Sequence, residues 1–251
     1  MERLRDMTIT TTSSNDTQRS KPSDVSHALP KYDLYGMVHK GLRGQLCGLL
    51  ARMAAHGSAD RDDLQMILDD LEGVLYMCVS HGSHEDRHYH PALEARRASA
   101  SEFLNDTHTL LEADLAALHG LSTQLAAATD AGEFGLFRAL YLRYSAFVGR
   151  NLMHMAEEET RAQALFEQLY KPEELPIIHL NLLRAIGPEE KLASLRAMLN
   201  AVNAQERMQL LELAQAQLPH ETWCDLLAHL RARLPATALR AIAQRYPDMQ
   251  A

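Results

Sequence analysis

The sequence predicts an all-α protein, with an up-down-up-down bundle of four long helices over about residues 31–171 and a C-terminal helical extension over 172–251. Three observations point there. Apolar residues return every three or four positions over long stretches, the period of an amphipathic helix. The composition is 46% hydrophobic but only 6% aromatic, with Leu and Ala dominant, which suits packed helices better than sheets. Only 12 Gly and 9 Pro punctuate 251 residues, a length that allows one large domain or a domain with an appendage.

Residues 1–30 are polar and lack a hydrophobic period, so they read as a disordered leader. From Tyr32 a helical pattern begins, with Leu34, Met37, Val38, Leu42, Leu46, Leu49, Leu50 and Met53, and it stops near His56-Gly57. Ser58 and Asp60 offer caps to a second helix over about 61–90, whose face includes Leu64, Ile67, Leu68, Leu71, Val74, Leu75 and Cys78 and which Pro91 ends. A third helix spans about 98–128, tolerating Gly120. A fourth, with Phe134, Phe137, Leu140, Tyr144, Phe147, Val148 and Leu152, spans about 132–170 and stops at Lys171-Pro172. Pro176, Gly187-Pro188, Pro219 and Pro235 then divide the remainder into four or five shorter amphipathic helices.

A formal net charge of −8 without a basic stripe disfavours nucleic acid as a partner. No apolar run reaches the roughly 20 residues of a membrane span, and the N-terminus lacks a secretory core, so a cytoplasmic protein is expected. Cys47, Cys78 and Cys224 form no CxxC pair and read as small buried hydrophobes.

Thirteen histidines are the unusual feature. On a helix His81, Glu85 and His88 share a face, and His154 with Glu158 repeats the HxxxE spacing on the fourth helix. His39 and His108 are single histidines in apolar helical contexts. A lone histidine is commonly an ordinary core or surface residue, but these four fall at one level. His39 lies about 17 residues before the end of helix one and His81 about 20 after the start of helix two. At 1.5 Å per residue both lie roughly 25–30 Å from the connecting turn, and His108 and His154 match in the same way. Inward carboxylates from two helices and one imidazole from each of four are what a carboxylate-bridged dinuclear metal site requires. Iron is the favoured ion, with manganese second.

The segments Tyr35-Gly-Met-Val-His39-Lys-Gly-Leu-Arg43, His81-xxx-Glu85 before Pro91-Ala92-Leu93, Asn105-Asp-Thr-His108 and His154-xxx-Glu158 together resemble the hemerythrin or HHE cation-binding family over about residues 32–170. The resemblance implies two oxygen-bridged non-haem iron ions held by His39, His81, Glu85, His108, His154 and Glu158. Glu112 stands where oxygen carriers have a further histidine, and HxxxE replaces their HxxxxD. Both departures resemble bacterial iron-centre repair proteins that respond to nitric oxide and the iron-sensing hemerythrin domains of ubiquitin ligases. No segment resembles the repair proteins' Cys-bearing N-terminal domain. The stretches Leu195–Leu199 and Asn203–Met208 resemble a helical tail found after some hemerythrin domains.

Four histidines over two ions, two bridging carboxylates and one solvent-derived bridge leave one open position on each ion. That count points to binding of O₂, NO or iron in sensing or in oxidative or nitrosative stress, with a protein partner for the C-terminal helices. The alternatives are a di-iron oxidoreductase acting on NO, peroxide or O₂, and an iron donor for iron-centre repair. Nothing in the sequence marks an organic-substrate pocket. Tyr35 and Glu112 are candidates for supporting positions around the ions, as are Tyr144, Met153 and Met155, and His84 or His88 could close a position. Asp86, Glu157 and Glu159 read as a solvated face, His119, His179, His220 and His229 as surface residues, and Trp223 as an anchor for the tail.

Overall fold

A computed structural model describes residues 30–57, 61–128 and 130–246, and these are all-helical, with no strand among them. The expected leader and the capping residues Ser58 and Asp60 lie outside the described residues.

Helix α1 (Gly36–Ala55) turns His39, Leu42, Leu46, Leu49 and Met53 inward, a spacing of three or four that draws one buried stripe along it. Helix α2 (Arg61–His84) buries Leu64, Ile67, Leu68, Leu71, Val74 and Leu75 in the same way. It does not stop there. A five-residue π-helical turn, Glu85–Tyr89, carries it into α3 (His90–Arg96). Helix α4 (Glu102–Ala126) follows, then α5 (Asp130–Glu157), which runs through a second π-turn, Glu158–Ala162, into α6 (Gln163–Leu169). Helix α1 packs on α2 and α5, and α4 packs on the same two, so four long helices close a ring around one core. Each leucine sealed there contributes on the order of 1.5–3 kcal/mol.

Two features differ from expectation. Pro91 does not end the second helix: the amide of His90 reaches back five residues to the Glu85 carbonyl, and the widened turn gives the proline ring room against the preceding turn. Cys47 and Cys224 are exposed rather than buried, and so is Phe134, at 69%.

Beyond Tyr170, where the backbone becomes extended, lie α7 (Leu175–Ala185), α8 (Pro188–Ala201), α9 (Ala204–Gln217), α10 (His220–Arg233) and α11 (Ala236–Arg245). Pro176 sits in the first turn of α7, where its missing amide hydrogen is harmless. Leu175 and Leu182 of α7 join Tyr35, Tyr89, Leu93, Leu104 and Phe166 in a small core at one end of the four-helix ring. Helices α8 to α11 share their own core, in which Trp223 packs edge-on against Tyr246 at 5.2 Å.

Helix α8 packs on α1. A Cβ at Gly41 would stand 3.0 Å from the Met198 nitrogen and 3.2 Å from the Ala197 carbonyl carbon, so any side chain there would press the two backbones apart by a few tenths of an ångström. Lys40 pairs with Glu206 at 2.5 Å, while Glu206 also closes the capping box of α9 with Asn203.

Candidate metal centre

Between the end core and the long core lies a polar layer. His39 and Glu158 are fully buried there, and Glu85, His154 and His108 are 1%, 5% and 8% exposed. Imidazole Nε2 atoms meet in two pairs, His39 with His81 at 3.1 Å and His108 with His154 at 2.9 Å. Two nitrogens bound at right angles, each about 2.1 Å from one ion, lie about 3.0 Å apart, so both pairs have the spacing of adjacent ligands. Glu85 Oε1 lies 3.2 Å from His81 and 3.8 Å from His39, while its Oε2 lies 3.9 Å from His108. Glu158 mirrors this: Oε1 is 3.2 Å from His154 and 3.9 Å from His108, and Oε2 is 3.4 Å from His39.

The six residues therefore form two overlapping groups, His39–His81–Glu85–Glu158 and Glu85–His108–His154–Glu158, with both carboxylates common to the two. None of the four carboxylate oxygens has a hydrogen-bond partner. Buried and unpartnered, they carry a cost that a cation between them would remove. Imidazole nitrogen and carboxylate oxygen suit iron, manganese or zinc, and no thiolate belongs to the set.

Electrostatics bears out the strain. Burial and then the neighbouring Glu158 push the Glu85 carboxyl up to about 8, while Glu158, although burial opposes it, is held low by His108 and His154. Burial pushes His81 down to about 3. Burial also acts downward on His39 and His108, but Glu159 and Glu85 outweigh it at His39, and Glu158 and Glu85 at His108, so each rises to about 9.

Two acidic residues expected on a solvated face instead brace two of the clustered histidines. His39 Nδ1 donates to Glu159 Oε1 at 3.0 Å, and Arg43 holds the same oxygen at 2.6 Å. His108 Nδ1 donates to Asp86 Oδ1 at 2.8 Å, which also lies 3.0 Å from His90 Nδ1. A proton held on Nδ1 turns the Nε2 lone pair inward and fixes the ring. Asp86 directly follows Glu85 and Glu159 directly follows Glu158, and a π-turn begins at each glutamate, so the halves of the site repeat one another. The available signal was an acidic residue after both HxxxE glutamates, about 100° around the helix and so aimed at a neighbouring helix.

Other candidates fall elsewhere. Tyr35 is 1% exposed, its ring 5.4 Å from that of His39, and its hydroxyl has no partner. Burial and then the charges of Glu158 and Glu85 raise that hydroxyl well above 10. Glu112 is exposed at the rim of a cavity, outside both groups. Tyr144 donates to the Leu46 carbonyl at 3.1 Å, Met153 is 77% exposed and Met155 lines the cavity. His84 bonds Glu190 of α8 at 2.7 Å, Ser80 donates to the same oxygen, and neither His84 nor His88 belongs to a metal group. Glu157 pairs with Arg161. His119 and His220 are exposed, whereas His179 and His229 are half-buried.

The cavity, of about 360 Å³, opens between α2, α4 and α5 and is roofed by His81, Glu85, His108 and His154. Sequence reasoning missed it because four helices contribute to it, Leu42 coming from α1. No helix among the described residues is long and apolar enough to cross a membrane. No family model, curated protein or solved structure matches this chain.

Proposed function

We propose that the chain is a hemerythrin-like, up-down-up-down four-helix protein that holds two metal ions, iron in preference to manganese, and binds O₂, NO or iron itself in sensing or stress response. The carrying observation is that two buried glutamates, with four unpartnered oxygens, are shared by two groups of four ligands. His39 and His81 would serve one ion, His108 and His154 the other, and Glu85 and Glu158 would span both. Asp86 and Glu159 hold His108 and His39 in orientation, with Arg43 fixing Glu159. An iron pair bound there supplies Lewis acidity and one-electron redox capacity toward small ligands. The contacts of α8 with Gly41, Ser80 and His84, each within two residues of a ligand, support a role for the tail in reporting occupancy to a protein partner.

The test is anaerobic purification with iron and manganese quantified per chain, and absorption spectra before and after O₂ and NO. Two ions per chain and a spectrum altered by one of the gases are expected. A chain that stays metal-free when iron and manganese are added overturns the proposal. The cavity against the ligands favours a second reading, a di-iron oxidoreductase, for which the measurement is catalytic consumption of NO or peroxide that disappears in Glu85→Ala and Glu158→Ala.

A further inference from the structure

The candidate centre is closed on one side and open on the other. Tyr35, Tyr89 and Phe166 pack over the closed side as part of the end core. On the other side the cavity reaches ligands from both groups, since His81 belongs to the first, His108 and His154 to the second, and Glu85 to both. Its 360 Å³ equals roughly a dozen times the share of one water in the liquid, about 30 Å³. A diatomic gas would fill only a small part of it. The floor is Leu42, Leu111, Leu115, Phe147 and Met155, with the Cys78 thiol pushed up to about 12 by burial, so this wall carries no charge. Water gains little against such a surface, and a charged group resting on it would lose hydration without a counter-charge. At the mouth stand Asp86, Arg87 and Glu112, of mixed sign and so with no field favouring one strong charge. Gly82 also lines the cavity, where a Cβ would stand at an ordinary contact distance of 3.9 Å from the His108 ring.

We propose that this cavity binds a small, uncharged, mainly apolar organic compound with a single oxygen at one end, the oxygen turned toward the ligand layer and the hydrocarbon body on the leucine and phenylalanine floor. The inference rests on the proposed metal centre for what the oxygen faces, and on the cavity alone for the binding. It makes the protein a receptor for an organic molecule as well as a candidate for binding gases.

The probe is p-cresol, titrated calorimetrically into full-length protein loaded with manganese(II), after the metal content has been measured. Saturation at one p-cresol per chain is expected, with 4-(aminomethyl)phenol, whose ammonium would lie on the apolar floor, weaker by at least about tenfold. Leu115→Phe and Leu115→Trp are expected to weaken p-cresol progressively, by about tenfold or more for the larger ring, at unchanged metal content and helical signal. Paramagnetic relaxation by the manganese should be faster for the ring protons beside the hydroxyl than for the methyl protons. The proposal is overturned if p-cresol does not saturate by about 10 mM, if 4-(aminomethyl)phenol binds as well, if both Leu115 variants bind normally, or if the methyl group relaxes faster. If no metal is taken up, the metal reading fails by itself: p-cresol binding that weakens in the Leu115 variants still supports the pocket, and its absence overturns it.

Discussion

Replacing Glu85 with glutamine exchanges a carboxyl for its uncharged isostere where neither oxygen has a hydrogen-bond partner. The folded, metal-free protein holds this carboxyl at about 8 against an ordinary 4.5, because burial and then Glu158 disfavour its charge. The folded state thus binds the proton more tightly than the unfolded chain, and stability falls as pH rises from 4.5 towards 8. At about 1.4 kcal/mol for each tenfold change in proton affinity, the cost at pH 7 is on the order of 3 kcal/mol. Glu85→Gln removes it, so in chelator the variant should melt higher at pH 7, by roughly 6–12 °C for a chain of this size. Its advantage should vanish near pH 4.5 and be complete above pH 8. With metal the order reverses, since ions that bind only the folded state stabilise the wild type, and the variant takes a shared ligand from both groups. Thermal unfolding followed by circular dichroism from pH 4.5 to 8.5, with chelator and then with manganese, measures both effects. A Glu85→Gln variant that melts lower in chelator at every pH would show Glu85 to be a hydrogen-bonded structural carboxylate and refute the reasoning.

Metal uptake at pH 7 should release about two to three protons per chain, from His39 and His108, each raised to about 9, and from Glu85. Calorimetry in two buffers of different ionisation enthalpy counts them, and affinity should climb with pH towards 9; equal heats in both buffers contradict the expectation. Asp86→Asn and Glu159→Gln should each weaken metal binding by about 10- to 100-fold without changing the stoichiometry, as chelator competition would register. Unchanged affinity in both would mean that the rings are oriented by packing alone. Gly41→Val should push α8 off α1, because its Cβ meets the Met198 nitrogen at 3.0 Å, and should cost about 1–3 kcal/mol in denaturant unfolding. A neutral result would mean that the two helices do not sit this close in solution.

The helices and the clustering of the candidate ligands were legible because both are written in local spacing. Leu42, Leu46, Leu49 and Met53 recur at a helical period, and His81 with Glu85, like His154 with Glu158, stands four residues apart on one face. The common level of His39, His81, His108 and His154 followed from rise per residue and short connections. What spacing cannot carry is which faces of different helices meet. Asp86 and Glu159 read as solvated because each is polar and beside a ligand, and only the neighbouring helix, bringing His108 or His39 to it, makes it a brace. Pro91 read as a stop because a proline opposes a regular helix, whereas the π-turn at Glu85–Tyr89 lets the helix continue.

By itself the sequence determined the helical class, the periodic stripes of the long helices and the two HxxxE pairs, all consequences of the 3.6-residue repeat of one chain segment. Only the tertiary structure decided that Gly41 is the close crossing with α8, that Glu190 of the tail reaches Ser80 and His84, and that one side of the ligand layer is sealed by Tyr35 while the other opens on a cavity. Those outcomes depend on how rigid helices pack their ridges and small residues against one another, a property of pairs of surfaces that no single helix records.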